Sequence, residues 1–290
     1  MLFDLCTMAM ARKLLLVCGI LAALLYVAMN ALVPLLWPGF SVWSQTISEL
    51  SAIDAPTRSL WVALGAIYAV LLMAFGYGVR SCDRRSRPLR IAGALIIADG
   101  VFCLFWPPMH QRAVLAAGGA TLTDTLHIAW TMVSGMLMML SIGCAAAAFD
   151  KRFRAFAVAT IVLLVAFGAL TGTYAASVQA NLPTPWLGVW ERVDAGLLML
   201  WLIVLAVALL RRGETTAVGI AEEAAKLGGH DHWVPPETSV AFFNAHRAGG
   251  DARRVRAVRP RVRRRAERVQ SNDGRRRVAS VGPSRREEKP

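Results

Sequence analysis

Charge is what most of this chain lacks. The first 210 of its 290 residues carry only 13 Lys or Arg and 9 Asp or Glu, too few to solvate a domain of that size in water. Cysteine is sparse as well. Cys6, Cys18, Cys82, Cys103 and Cys144 include no C-x-x-C pair, which argues against a disulfide framework and a cysteine metal site. The five histidines form no H-E-x-x-H motif, so that zinc-protease pattern is excluded. Period-2 alternation is also missing, which removes the transmembrane barrel.

What is present is a set of six apolar runs, at 14–36, 60–79, 91–106, 128–149, 155–176 and 193–210. Each is near the roughly 17–25 residues that a helix needs to cross a bilayer, and a helix satisfies its own backbone in hydrocarbon. The expected fold is all-α: an integral membrane bundle of six transmembrane helices over 14–210, after a short N-terminal segment at 1–13. Lys and Arg near the helix ends set the orientation. Arg12, Lys13, Arg80, Arg84, Arg85, Arg87, Arg90, Lys151, Arg152 and Arg154 fall on one side, and only Arg58, Arg112 and Arg192 on the other. Both termini are therefore expected in the cytoplasm, and the protein in the plasma membrane. Trp37, Trp43, Trp61, Trp106, Trp130, Trp186 and Trp190 gather at the opposite helix ends, where indole rings suit the headgroup layer. Arg12-Lys13 before an apolar run resembles a signal sequence. That run is long enough to span and has no convincing cleavage site, so the first helix is expected to remain.

Residues 211–290 differ in kind, with 19 Lys or Arg against 10 Asp or Glu. A short helix is expected at 218–227. The arginine clusters at 263–265 and 275–277 bury too little to offset ordering entropy, so this cytoplasmic tail is expected to be largely disordered. It is a candidate for the anionic inner leaflet, at about 1 kcal/mol per basic residue near the surface. No aromatics interleave the arginines between 253 and 277, so no specific nucleic-acid binding is expected. His230-Asp231-His232 is a weak metal motif. Gly168 and Gly172 form a G-x-x-x-G in the fifth run, a spacing suited to close helix contact.

Polar groups inside the apolar region are the functional candidates. Asp99 stands alone in the third run, about 13 Å along the helix from Arg90. An aspartate at such depth costs about 2.5–3.5 kcal/mol to insert. It is expected either to relay protons or touch substrate, or to bond to Ser134, Thr171 or Thr173. The Trp-rich side adds Glu49, Asp54, His110, Asp124, His127, Glu191, Arg192 and Asp194. Asp124 and His127 share a helix face, and His127 meets Asp194 if the fourth and sixth helices approach. His110 and His127 with nearby carboxylates are the one candidate divalent-metal set in the membrane domain; no other cofactor is identifiable. The plainer alternative makes Thr123 and Asp124 caps of helix four, Glu191 a cap of helix six, and Arg192 its partner or a lipid-phosphate contact.

Three segments carry a family resemblance. Gln45-Thr46-Ile47-Ser48-Glu49-Leu50-Ser51, followed by Asp54-Ala55-Pro56, resembles the I-S-E-L-G…G-A-P stretch of the domain-of-unknown-function 998 family of prokaryotic membrane proteins. Phe105-Trp106-Pro107-Pro108, continuing to Thr125-Leu126-His127, is similar to its F-P…T-L-H segment, and Gly188-Val189-Trp190-Glu191-Arg192 to its G-x-x-[EQ]-R element. The resemblance covers about 14–210 and implies a six-helix membrane protein with no established activity. Ser48, Glu49, Pro56, His127, Glu191 and Arg192 occupy its motif positions. Ser51 stands where glycine is frequent, and Trp106 interrupts the F-P pair.

Three functions compete. The favoured one binds a lipid headgroup or small ligand in an outward-facing polar pocket. A metal-dependent lipid hydrolase or transferase using His110 and His127 is the second, weakened by the lack of a recognisable nucleophile and base. A small proton-coupled transporter using Asp99 is the third, weakened by the lack of paired broken helices. Enzymatic activity is thus open, leaning against.

Overall fold

The computed structural model describes residues 2–83 and 85–228, with side chains between 10 and 213. Among the described residues all regular structure is helical: α1 Leu2–Leu32, α2 Arg58–Cys82, α3 Arg87–Leu104, α4 Arg112–Ala116, α5 Leu122–Ala146, α6 Lys151–Gly172, α7 Ala175–Gln179 and α8 Leu187–Gly228. One-turn 3-10 helices occupy Val33–Leu36 and Ser48–Ser51. Local chemistry sets the ends. Ser86 caps α3 by accepting the Leu89 N–H, with Pro88 in the first turn. Asp150 caps α6 through the Phe153 N–H at 3.1 Å. The helix of the fourth apolar run, α5, is capped by Thr121, and Asp124, its third helical residue, closes the capping box by accepting the Thr121 N–H at 2.8 Å, while Thr123 lies inside the first turn.

Among the described residues, five helical segments are long and apolar enough to cross a membrane: Met10–Leu36, Arg58–Cys82, Leu122–Ala146, Lys151–Gln179 and Leu187–Gly213. The third apolar run forms α3, whose 18 residues include Arg87, Arg90 and Asp99, and it is not among the five. Helical structure also outruns hydropathy at both ends. α1 starts at Leu2, and α8 continues through Arg211 and Arg212 to Gly228, taking in the short helix expected at 218–227. Ala221 to Lys226 are good helix formers, so loss of apolar character ends the greasy run without ending the helix. The tail from 229 onward, with its arginine clusters and His230-Asp231-His232, lies outside the described residues.

The long helices close a ring in chain order: α1 packs on α2, α2 on α3, α3 on α5, α5 on α6, α6 on α8, and α8 back on α1. Phe75, Leu72, Ile96, Ile142, Trp201 and Leu205 fill the core. Leu14, Leu21, Leu24, Ile67, Val70, Val158 and Val162 point outward and exposed, as a lipid-facing surface requires. Two seams differ sharply. Between α2 and α3, a Cβ on Gly93 would lie 2.5 Å from the Gly76 carbonyl oxygen, so only glycine permits that approach. Between α5 and α6, contact gathers near their connection, where Phe149 and Phe153 stack at 4.1 Å and the Arg212 guanidinium lies 3.8 Å from the Phe149 centroid. Further along, a Cβ on Gly168 or Gly172 meets nothing within 4 Å. The G-x-x-x-G is therefore not a helix contact among the described residues.

A lidded acidic cavity

The loose half of the α5–α6 seam borders a cavity of about 760 Å³. All six long helices line it: α1 through Tyr26, α2 through Trp61 and Tyr68, α3 through Asp99, α5 through Ser134 and Met138, α6 through Gly168, and α8 through Glu191 and Asp194. Most of its wall is apolar or aromatic, so the three carboxylates stand out. Asp99 is 3% exposed and accepts a 2.5 Å hydrogen bond from Ser134 Oγ. Of the three partners expected for it, Ser134 is the one found. Thr171 Oγ1 is buried without a partner, and Thr173 bonds to the Leu170 carbonyl. Glu191 uses Oε2 to accept the Ile47 N–H at 2.6 Å. Asp194 Oδ1 is buried with no hydrogen-bond partner among the described residues. A buried polar atom left unsatisfied costs about 1–3 kcal/mol, so these oxygens hold binding capacity that the fold leaves unused.

The Trp-rich end is closed by a lid of connecting segments, and most motif residues build it. Residues 42–47 lie directly on the start of α8. The Gly188 N–H donates to the Trp43 carbonyl at 3.0 Å. A Cβ at Gly188 would collide with the Val42 and Gln45 carbonyl oxygens. Arg192 Nη1 donates to the Val42 and Gln45 carbonyls at 3.0 and 3.1 Å. The G-x-x-E-R spacing is thus a clamp: glycine permits the approach, glutamate takes an amide, and arginine takes two carbonyls. Glu191 sits in the second turn of α8, beyond the cap position expected for it.

A second clamp joins all three loops. Glu49, 3% exposed, receives Arg112 Nε at 2.8 Å and Nη2 at 2.7 Å. Arg112 also donates to Thr184 Oγ1 at 2.6 Å and to the Ser44 carbonyl at 2.9 Å. Asp54 adopts left-handed backbone, φ 61°, which a short polar side chain tolerates. Its turn lets the Ile53 N–H donate to the Met109 carbonyl at 2.7 Å. The underside of this lid supplies Ile47, Ser48, Ser51, Pro107 and Pro108 to the cavity.

The expected site residues therefore divide. Ser48, Asp99, Glu191 and Asp194 share the cavity. Glu49 and Arg192 hold the lid from outside it. Asp124 pairs with His110, whose Nδ1 is 2.9 Å from Oδ2 and whose backbone N–H donates to Oδ1 at 2.7 Å. His127 Nδ1 lies 2.7 Å from the Pro107 carbonyl oxygen. That oxygen can only accept, so a protonated Nδ1 donates to it, while an unprotonated Nδ1 accepts from the Trp106 Nε1–H, which lies 3.2 Å away on an indole packed edge-on at 5.7 Å. The expected meeting of His127 with Asp194 is not among the bonds formed. Among the described residues no group of three or more His, Cys, Asp or Glu is arranged to hold a metal ion. Cys18, Cys82, Cys103 and Cys144 are free thiols. Sequence reasoning missed Tyr26, Tyr68, Arg112 and Thr184. The first two read as core aromatics and Arg112 as one orientation charge, and no spacing signal marks Thr184.

Residues 20–208 match the model of a family described as a protein of unknown function, DUF998. No curated protein and no solved structure matches the chain. The matched span covers all three clamp segments and every residue that lines the cavity. This chain belongs to the DUF998 family.

Proposed function

We propose that this protein is a six-span plasma-membrane receptor site for a lipid headgroup or small ligand, held in the lidded cavity and facing outward. The observation that carries the proposal is the cavity itself: about 760 Å³ of mainly apolar space containing Asp99, Glu191 and Asp194. That volume lies in the range of small-molecule sites, which are mostly apolar with a few placed polar groups. α3 counts as a span because its 18 residues reach about 27 Å, close to the roughly 30 Å hydrocarbon thickness. Its Asp99 turns inward, which is where a membrane helix keeps an acid. With six crossings both termini share the cytoplasm, the Trp-rich lid lies outside, and the basic tail meets the anionic inner leaflet.

The metal-dependent alternative draws no support from His110 and His127, which are bound to different partners, Asp124 and Pro107. The transporter alternative has Asp99, but among the described residues each of the six long helices is continuous and none is broken beside it. Native mass spectrometry of the purified full chain tests the favoured function. A stoichiometric small molecule or lipid is expected, and its loss in Gly168→Leu would place it in the cavity. A ligand-free spectrum for the wild type in native lipid nanodiscs would overturn it. Reporter fusions at 84, 118, 150, 181 and 213 test the topology, with a change of compartment expected at each successive position.

A further inference from the structure

The charge and aromatic content of the cavity identify the class of ligand, on the condition that the cavity is a binding site as proposed above. Three carboxylates line it against one cation, Arg58, and that guanidinium is already bonded to the Ser51 carbonyl. Arg192 beside Glu191 offsets that carboxylate's charge, so an anionic headgroup would meet repulsion from the excess carboxylates Asp99 and Asp194. A cation would not.

Within the cavity lining the unpartnered carboxylate oxygens are acceptors, whereas the unpartnered donors Arg192 Nε, Arg192 Nη2 and Trp201 Nε1 belong to residues outside it. Asp194 Oδ1 has no donor, and Asp99 engages one oxygen with Ser134 while the other has no bond among the described residues. A further polar group points the same way. Tyr68 is only 7% exposed and lines the cavity, yet its hydroxyl bonds to no described residue.

The aromatic groups are arranged as a cluster. Tyr26 stands 5.1 Å from Tyr68 and 6.2 Å edge-on from Trp61, ring centre to ring centre, and all three line the cavity. Ring faces beside carboxylates favour an ammonium group, through attraction of the cation to the π-system. The opposite wall is apolar and loosely packed. Met132, Gly135 and Met139 of α5 face Val165 and Gly168 of α6 across the seam, where a Cβ on either glycine meets nothing within 4 Å. An alkyl chain fits that space.

We infer that the cavity binds an amphiphile bearing a cationic nitrogen, with its ammonium among Asp99, Asp194, Tyr26, Trp61 and Tyr68 and its alkyl chain between α5 and α6. The ammonium supplies the donors that the carboxylates lack, and the chain fills the space that the glycines leave.

Binding of hexadecylamine, hexadecyltrimethylammonium and hexadecyl sulfate to the full chain in maltoside micelles tests this. Both cations are expected to bind through charge and ring contacts, the primary amine more tightly because only it carries N–H donors, and the sulfate at least about tenfold more weakly than either. Asp194→Asn and Asp99→Asn, which keep side-chain shape, should each weaken hexadecylamine by about tenfold or more without changing elution in size-exclusion chromatography. Gly168→Leu should abolish binding of all three probes by occupying the chain space. Nanodiscs containing equal phosphatidylethanolamine and phosphatidylglycerol separate the sources. Selective retention of phosphatidylethanolamine assigns the site to a lipid, whereas binding of hexadecylamine without such retention assigns it to a free amine. Equal binding of cation and sulfate, both lost in Gly168→Leu, would leave the cavity as a ligand site and overturn the cationic assignment. Binding unaffected by Gly168→Leu would overturn both.

Discussion

The α2–α3 and α5–α6 seams are built from the same helical, apolar, glycine-bearing material and behave oppositely. At the first, Gly76 and Gly93 bring two backbones so close that neither admits a Cβ. At the second, Gly168 and Gly172 face open space, and the helices hold together mainly near the Phe149–Phe153 stack. Small residues permit close packing but do not compel it. What decides is whether the neighbouring helix is held there by something else. Around α5 and α6, the lid clamps at one end and the tight turn at the other keep the ring closed while its middle stays hollow.

Four substitutions probe that contrast, with stability followed by thermal unfolding in detergent. Arg112→Ala should have the largest effect, about 3–5 kcal/mol, because it leaves the Glu49 carboxylate buried and unpaired. It should also loosen all three loops, read as faster proteolysis of the lid. Gly93→Leu should cost about 3 kcal/mol by forcing α2 and α3 apart; a change under about 0.5 kcal/mol would remove the claim that this seam is close-packed. Gly188→Ala should cost about 1–3 kcal/mol, because its Cβ collides with two carbonyl oxygens that cannot both retreat while Arg192 holds them. Gly172→Leu should be nearly silent, within about 0.5 kcal/mol. A loss as large as that of Gly93→Leu would show that α6 packs against something other than this chain's own helices.

The legible part of the site was a list of polar residues, and the structure sorts that list. Glu49, Glu191 and Arg192 stand at motif positions for reasons of lid construction, since backbone groups of residues 42–47 need partners and these side chains supply them. His127 belongs to the same class, tied to the Pro107 carbonyl. Asp99 was identifiable because an acid in an apolar run has few innocuous explanations. Tyr68 was not, because an aromatic in such a run looks like core until its unpartnered hydroxyl is placed beside a cavity.

The amino-acid sequence by itself determined the all-helical class, the approximate placement of the long helices and the two polar rims. Each follows from local chemistry: hydropathy over a bilayer's thickness, caps at helix starts, and Trp or Arg at helix ends. Only the tertiary structure decided which glycines touch, which acids share a space, and that Arg112 unites three loops separated by more than sixty residues. Those outcomes depend on how far apart helices settle. That distance is set by the balance of all their contacts together, and no single segment encodes it.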